Sequence, residues 1–468
     1  MSQTRAVNPT EETVYIQKAT EMEQAGQCMA AIASIEEGLS KFPTSTQLLQ
    51  KKSQLLLNDE KYDQVLEVIA QMVEPSFELQ FLKGKALYGL NKKEEALEGF
   101  LGLKDNCCYD IEQANALDSI IAKIYLDQAK FEKALELYKL ILKSDISCED
   151  SLKAIWFIYE VNGNYDESIK FHNEILETNA YNFRAWYNLG HACRHMDKHE
   201  DAILAFEMCL TLEDQNVDAN WFLATSLKAV GDFEKAIRIF NRHYELIGEE
   251  ESATFIELAE CHLALENFSF TYYYASRYEA FDDSNWETYL YKGLCLVHFT
   301  NHKEAIENYK KALEINPKES KIHSNIGLAY YHCGQHKNSF QHLIKAMDLE
   351  PENIQLWCLA IEFLIRHNEI KPAIHLCNNA FEVFEDNSLQ VYKASCYFSK
   401  GDSINAYNCM KDFDVVTDEQ FKIILSICPF LYDDKQFRGF YRFCKNETEL
   451  PVTEQGDQDL PDGFFEFE

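Results

Sequence analysis

Glycine and proline are scarce in this chain, with 17 and 9 residues in a length of 468, well below ordinary usage. So few breakers over such a length favour a mostly helical protein. Positive charge is scarce as well. Lys and Arg total 44 against 77 Asp and Glu, a formal charge of −33. A surface of that sign repels nucleic acid and anionic lipid, so neither is expected as a partner, whereas basic protein segments suit it. No apolar run approaches the roughly 18 residues of a membrane span. The opening MSQTRAVNPTEETVY lacks the apolar stretch of a signal peptide. The 15 cysteines contain no C-x-x-C pair, and most sit inside apolar helical patterns such as YKGLCLV and IGLAYYHCG. They read as free, packed thiols of a reducing compartment, so a cytoplasmic address is expected.

Catalytic signatures are missing too. The chain has no G-x-x-x-x-G-K-[ST] phosphate loop, no H-E-x-x-H, no G-x-S-x-G elbow and no G-x-G-x-x-G fingerprint. The expectation is a protein that is not an enzyme and needs no cofactor. What the chain does have is apolar content, 46 %, enough for an extensive core, and a repeat.

The repeat emerges when AWYNLGHACRHMDKHEDAILAFEMCL is laid on YLYKGLCLVHFTNHKEAIENYKKALEINP. With Ala202 on Ala305, Gly190 falls on Gly293 and Phe206 on Tyr309. HSNIGLAYYHCGQHKNSFQHLIKAMDLEP repeats the operation with Gly327, Tyr330 and Pro351. The small-residue slot recurs at Ala31, Val65, Ala96, Ala134, Ser168, Ala202, Ala236, Thr271, Ala305, Ser339, Ala373 and Ala406, and most steps between neighbours are 34 residues. The irregular steps are 31, from Val65 to Ala96, and 38, from Ala96 to Ala134, which places extra residues near KDNCCYDIEQ. A glycine inside a helix costs about 1 kcal/mol relative to alanine, so a recurring one needs a packing reason, namely close approach of two helices.

The pattern W-x2-L-G-x2-Y, then Ala, then x3-F, then a closing Pro resembles the tetratricopeptide repeat family. Its matches here include Trp186, Leu189, Gly190, Ala202 and Phe206, then Gly293, Ala305, Tyr309, Ala312 and Pro317. The resemblance implies an all-α fold: a right-handed α-solenoid superhelix of about twelve helix–turn–helix repeats with a divergent C-terminal helical cap. The expected organisation is a mobile lead over residues 1–11, twelve repeats over 12–416, capping helices broken near Pro429 over 417–447, and an acidic tail over 448–468. That tail holds seven acidic residues and no Lys or Arg, and it ends on Phe464, Phe465 and Phe467. Its composition suits disorder, and its aromatics suit either mere solubilisation or docking on a partner or on the chain's own groove.

The resemblance also implies a function. Family members mostly bind peptides or proteins through inward-facing residues of their first helices. Carried onto this sequence, those positions are Arg184, Tyr187, Asn188, His191 and Arg194, with Trp221, Thr225 and Lys228 beside them, and a second set of Lys321, Asn325 and Tyr331. The expectation is a protein–protein interaction scaffold that holds a peptide or protein segment in its concave groove. The alternative is a peptide- or metabolite-responsive sensor using the same groove. The run HACRHMDKHE raises the question of metal. His191 and His195 are four apart, but a structural zinc site wants four ligands and no acid or thiol nearby completes it, so no metal is expected. Instead they read as two polar groove residues, one of them titrating near neutrality.

Overall fold

The computed structural model describes residues 11–72, 74–106, 110–248, 253–384, 386, 389–411 and 417–445. Residues 1–10 of the expected 1–11 lead and the tail with Phe464, Phe465 and Phe467 lie outside them, whereas Glu11 opens the first helix. The described residues are all-helical, with 26 α-helices, one 3₁₀ turn and no strand. They fall into two compact units, Met1–Ser226 and Leu227–Glu468.

In the first unit the helices run α1 Glu11–Gln24, α2 Cys28–Lys41, α3 Thr46–Asn58, α4 Tyr62–Ala70, α5 Phe77–Gly89, α6 Lys93–Asn106, α7 Ile111–Asp127, α8 Phe131–Ser144, α9 Glu149–Asn162, α10 Tyr165–Thr178, α11 Phe183–His195 and α12 His199–Leu212. Helix α13, Val217–Ala229, begins in the first unit and ends in the second. The second unit continues with α14 Phe233–Ile247, α15 Ala253–Ala264, α16 Phe268–Glu279, α17 Trp286–His298, α18 His302–Ile315, α19 Ser320–His332, α20 His336–Leu349, α21 Ile354–Arg366, α22 Ile370–Phe384, α23 Leu389–Ser399 and α24 Ser403–Lys411. A cap of α25 Asp418–Ile427, the 3₁₀ turn Pro429–Asp433 and α26 Lys435–Lys445 closes it.

Consecutive helices pack in pairs, and the small-residue slot explains why. All twelve slot residues, from Ala31 to Ala406, are fully buried. The recurring glycine does what a close crossing requires. A Cβ on Gly190 would lie 2.7 Å from the Phe206 ring, and one on Gly84 or Gly293 would overlap the rings of Phe100 or Tyr309. In each case the ring belongs to the residue sixteen positions on, so glycine and aromatic form one notch and one knob within a helix pair. At Gly327 the partner is Leu343 and the approach eases to 3.1 Å.

The turn inside each pair uses a second periodic device. Five positions before every slot residue the backbone is left-handed: Gly26, Glu60, Asn91, Ala129, Gly163, Asp197, Gly231, Glu266, Thr300, Gly334, Asn368 and Gly401. The turn is then closed by an amide reaching five residues back, as Lys198 N does to Cys193 O at 2.9 Å and Asn301 N to Leu296 O at 2.8 Å. Seven of the twelve positions carry a side chain where glycine is favoured.

A third device ties four of the first helices to the turn before them. The fourth residue of each places a side-chain polar atom on the carbonyl six positions back, in the turn that follows the preceding second helix. Trp186 Nε1 donates to Ala180 O at 2.8 Å, and Trp357 Nε1 donates to Pro351 O at 2.9 Å. Tyr289 Oη donates to Asp283 O at 3.3 Å, and His323 Nε2 stands 3.3 Å from Pro317 O. The cap continues the stack within the second unit. Phe421 and Phe437 are fully buried against Phe398, and the Phe421 and Tyr441 rings meet edge to face at 4.7 Å.

Candidate functional site

Four of the expected residues, Arg184, Tyr187, His191 and Arg194, line one stripe of α11 at spacings of three and four. Asn182 caps this helix by accepting from Ala185 N at 2.9 Å. Arg184 reaches back to α9, donating to Glu149 Oε1 at 2.7 Å, and its guanidinium lies 5.1 Å from the Tyr187 ring centre. Its Nε is buried and has no acceptor. Half-buried His191 sits in an aromatic cage, edge-on to Phe222 at 4.3 Å, with Tyr187 at 4.6 Å and Trp156 at 5.7 Å. Its Nε2 is likewise buried without a partner. Arg194 lies 4.9 Å over the Phe222 ring and has no carboxylate partner among the described residues. Burial pulls its guanidinium below the usual arginine range. On α13, Trp221 is half-buried, and Thr225 donates to its own helix at Phe222 O, 3.1 Å away.

Two expectations need correction here. Asn188 is not a groove residue. It is buried, and its amide spans Leu152 O at 3.0 Å and His172 Nε2 at 3.1 Å, because His172 fills the aromatic slot of the preceding pair and needs a donor. His191 keeps its place on the stripe but lies below the ordinary histidine range. Burial, then the charges of Arg194, His195 and Arg184, push it down to about 4, so it is neutral at pH 7. Lys228, in the second unit, is no open cation. It is bound by Glu257 at 2.6 Å and Glu260 at 2.7 Å. Burial opposes its charge, but the two carboxylates outweigh burial and raise its pKa.

His195 stacks on Tyr165 at 4.5 Å, and His199 stands on the next helix, so the three histidines do not converge. Among the described residues, no group of three or more His, Cys, Asp or Glu side chains is arranged to hold a metal ion. Nor is any described helix long and apolar enough to cross a membrane. The second expected set does not form a joint site. Lys321 is exposed at the start of α19, and Asn325 is buried with its amide on Lys321 O at 2.7 Å. Tyr331, near the far end of the helix, packs among His332, His336, Phe363 and His367.

Two contributors escape the residue pattern, Phe222 and Trp156. The signal for Trp156 lies in the register, for it occupies the slot where Gly190 stands one repeat later. No notch forms there, and the indole instead faces His191 and His195 at 5.7 and 6.2 Å. Most of the described cysteines are buried. Burial pushes the Cys193 thiol up to about 11 and Cys209 up to about 12, the reverse of what a nucleophile needs.

Family models described as "Tetratricopeptide repeat" match residues 183–216 and 320–353, and one described as "TPR repeat" matches 301–334. The chain carries tetratricopeptide repeats. Among curated proteins it is similar to the cattle (Bos taurus) protein "BBSome complex member BBS4", 23 % identical over 251 residues, or 52 % of this chain and 47 % of that one. The repeat chain thus matches about half the length of that relative. Among solved structures it is similar to MamA, 41-end, from Desulfovibrio magneticus RS-1, with 19 % identity, 36 % of this chain, 96 % of that chain and a TM-score of 0.35. It is also similar to YrrB, described as a TPR protein with an unusual peptide-binding site, with 18 % identity, 40 % and 95 % coverage and a TM-score of 0.34. The APC/C hetero-tetramer Cut9-Hcn1 aligns over 93 % of this chain and 97 % of its own, with 12 % identity and a TM-score of 0.41.

Proposed function

We propose that this tetratricopeptide-repeat chain is a protein-interaction scaffold, and that the stripe on α11 with Trp156, Trp221 and Phe222 receives an extended segment bearing a carboxylate beside an aromatic or apolar side chain. The observation that carries the reading is a local excess of unmet donors. Arg194 has no carboxylate, and Arg184 Nε has no acceptor, in a chain whose formal charge is −33. A half-buried guanidinium over a ring is held ready for a charge-assisted hydrogen bond, and the rings around it supply rigid contact area. That the cattle relative is by name a complex member agrees with a scaffold role.

The test is fluorescence anisotropy with two labelled twelve-residue peptides. One has the acidic, aromatic sequence DQDLPDGFFEFE, and in the other every Asp and Glu is replaced by Lys. The acidic peptide binds the purified chain, and Arg194→Glu weakens it at least about tenfold, because a half-desolvated charge pair has become a repulsion. Trp221→Ala weakens it through lost contact area. Equal binding of the two peptides, or an Arg194→Glu variant that binds as the parent does, overturns the reading. Peptide-induced compaction seen by small-angle scattering would instead favour the sensor alternative.

A further inference from the structure

Helix α20 is held on both sides by pairs of histidines. On one side His342 Nδ1 stands 3.0 Å from Nδ1 of His323, on the partner helix α19. His323 is 8 % exposed, and its Nε2 faces Pro317 O at 3.3 Å, an atom that only accepts. The proton of His323 therefore sits on Nε2, and its Nδ1 accepts from His342 Nδ1–H. On the other side, at the start of α20, the His336 ring lies 4.0 Å from His367, just after α21. Phe363 and Tyr331 close over His367 at 4.5 and 5.5 Å, and His367 Nε2 is buried without a partner. One helix thus carries imidazole–imidazole contacts with both neighbours, and the first is built for neutral rings. A second proton on the first pair would set two N–H donors against each other at 3.0 Å. In the second pair His336 is exposed, and a proton on the partly buried His367 would place a charge against the rings of Phe363 and Tyr331.

The surrounding charges do little to invite protonation. Lys345 on α20 faces His323, and Lys310 on α18, itself paired with Glu307, faces His342. Tyr330 stacks on His342 at 5.6 Å. Glu369 faces His367 and favours its cation, but burial and the charge of His336 still leave His367 below the ordinary histidine range. Burial, then His323 and Lys310, lowers His342 to about 4, and burial lowers His323 as well.

We propose that α20 is a proton-sensitive latch in the second unit. Acidification through the ordinary histidine range favours the opening of α20 from α19 and α21. The device lies apart from the α11 stripe and does not depend on it.

The chain offers its own control substitution. Two repeats earlier in the same series, Phe268 stacks on His298 at 3.9 Å, so an aromatic hydrocarbon at the His336 place keeps the packing and removes the proton site. Hydrogen–deuterium exchange of the full chain at pH 7.5 and 5.5, corrected for intrinsic exchange, is the test. With one histidine at about 4 when folded and about 6.5 when released, opening of α20 rises about tenfold at pH 5.5. The double variant His336→Phe, His342→Phe loses that rise. Should the double variant fold poorly, His342→Leu alone reduces it. Corrected exchange of α20 that does not change with pH in the parent chain, or the same tenfold rise in the variants, overturns the proposal.

Discussion

Adding one methyl group at the helix crossing is the sharpest perturbation the fold offers. Gly293→Ala places a Cβ inside the volume of the Tyr309 ring, which is fully buried and cannot swing into solvent. Alanine returns about 1 kcal/mol of helix propensity, whereas forcing a close-packed ring aside costs roughly 1–3 kcal/mol or more. The expected net loss is therefore about 1–2 kcal/mol. Gly327→Ala is the internal comparison. There the new atom meets Leu343 at 3.1 Å, and a flexible methyl can yield, although Ser339 O at 3.3 Å leaves little room on the other side. Its stability should stay within about 0.5 kcal/mol of the parent. Replacing the knob as well, in Gly293→Ala with Tyr309→Leu, copies the pairing at 327 and 343. It should recover part of the loss as a favourable coupling of about 1 kcal/mol in a double-mutant cycle. Exchange-derived opening free energies read the affected pair rather than the whole array: α17 and α18 for Gly293→Ala, Tyr309→Leu and their double variant, and α19 and α20 for Gly327→Ala. If Gly327→Ala costs as much as Gly293→Ala, or the cycle shows no coupling, the notch-and-knob account of these pairs is wrong.

Two more outcomes follow from features inside the pairs. Thr300 is a β-branched residue held at φ 59°, so Thr300→Gly should stabilise α17 and α18 by roughly 1 kcal/mol in the same exchange measurement. His172 is fully buried, donates from Nδ1 to Ser168 O at 2.8 Å and accepts from Asn188 at Nε2, and burial lowers it to about 4. Its folded value lies below the unfolded one of about 6.5, so the stability it allows is fully present above pH 6.5 and is lost as pH falls toward 4. One such proton costs about 2 kcal/mol between pH 7 and pH 5, read as faster exchange of α10 and α11, and His172→Phe should abolish that slope.

The register was legible in the sequence because it is written in residue size, and size is what a helix crossing selects. Ala202, Ala305 and their counterparts announce themselves as small, and all are buried. The left-handed turn was legible only where glycine occupies it, as at Gly163, Gly231 and Gly401. Glu60, Ala129 and Thr300 adopt the same backbone with ordinary side chains, because the packed helices on either side over-determine the turn. The candidate site was half legible. Arg184, Tyr187, His191 and Arg194 come from carrying the family's inward-facing positions onto the register, and helical spacing puts them on one stripe of α11. Asn188 was misplaced because its role is set by His172, sixteen residues upstream, and a single helical face does not reveal a partner on another helix. Lys228 was misread for the same reason, since Glu257 and Glu260 lie about thirty residues downstream.

The side-chain hook at the fourth residue of four first helices has a consequence for how such arrays diversify. Its acceptor is a main-chain oxygen, which no substitution removes, so the joint asks only that its donor reach. Indole, phenol and imidazole all satisfy it here, at Trp186, Trp357, Tyr289 and His323. A lineage can therefore exchange an inert fastener for an ionisable one, repeat by repeat, and so acquire environmental responsiveness without redesigning the architecture.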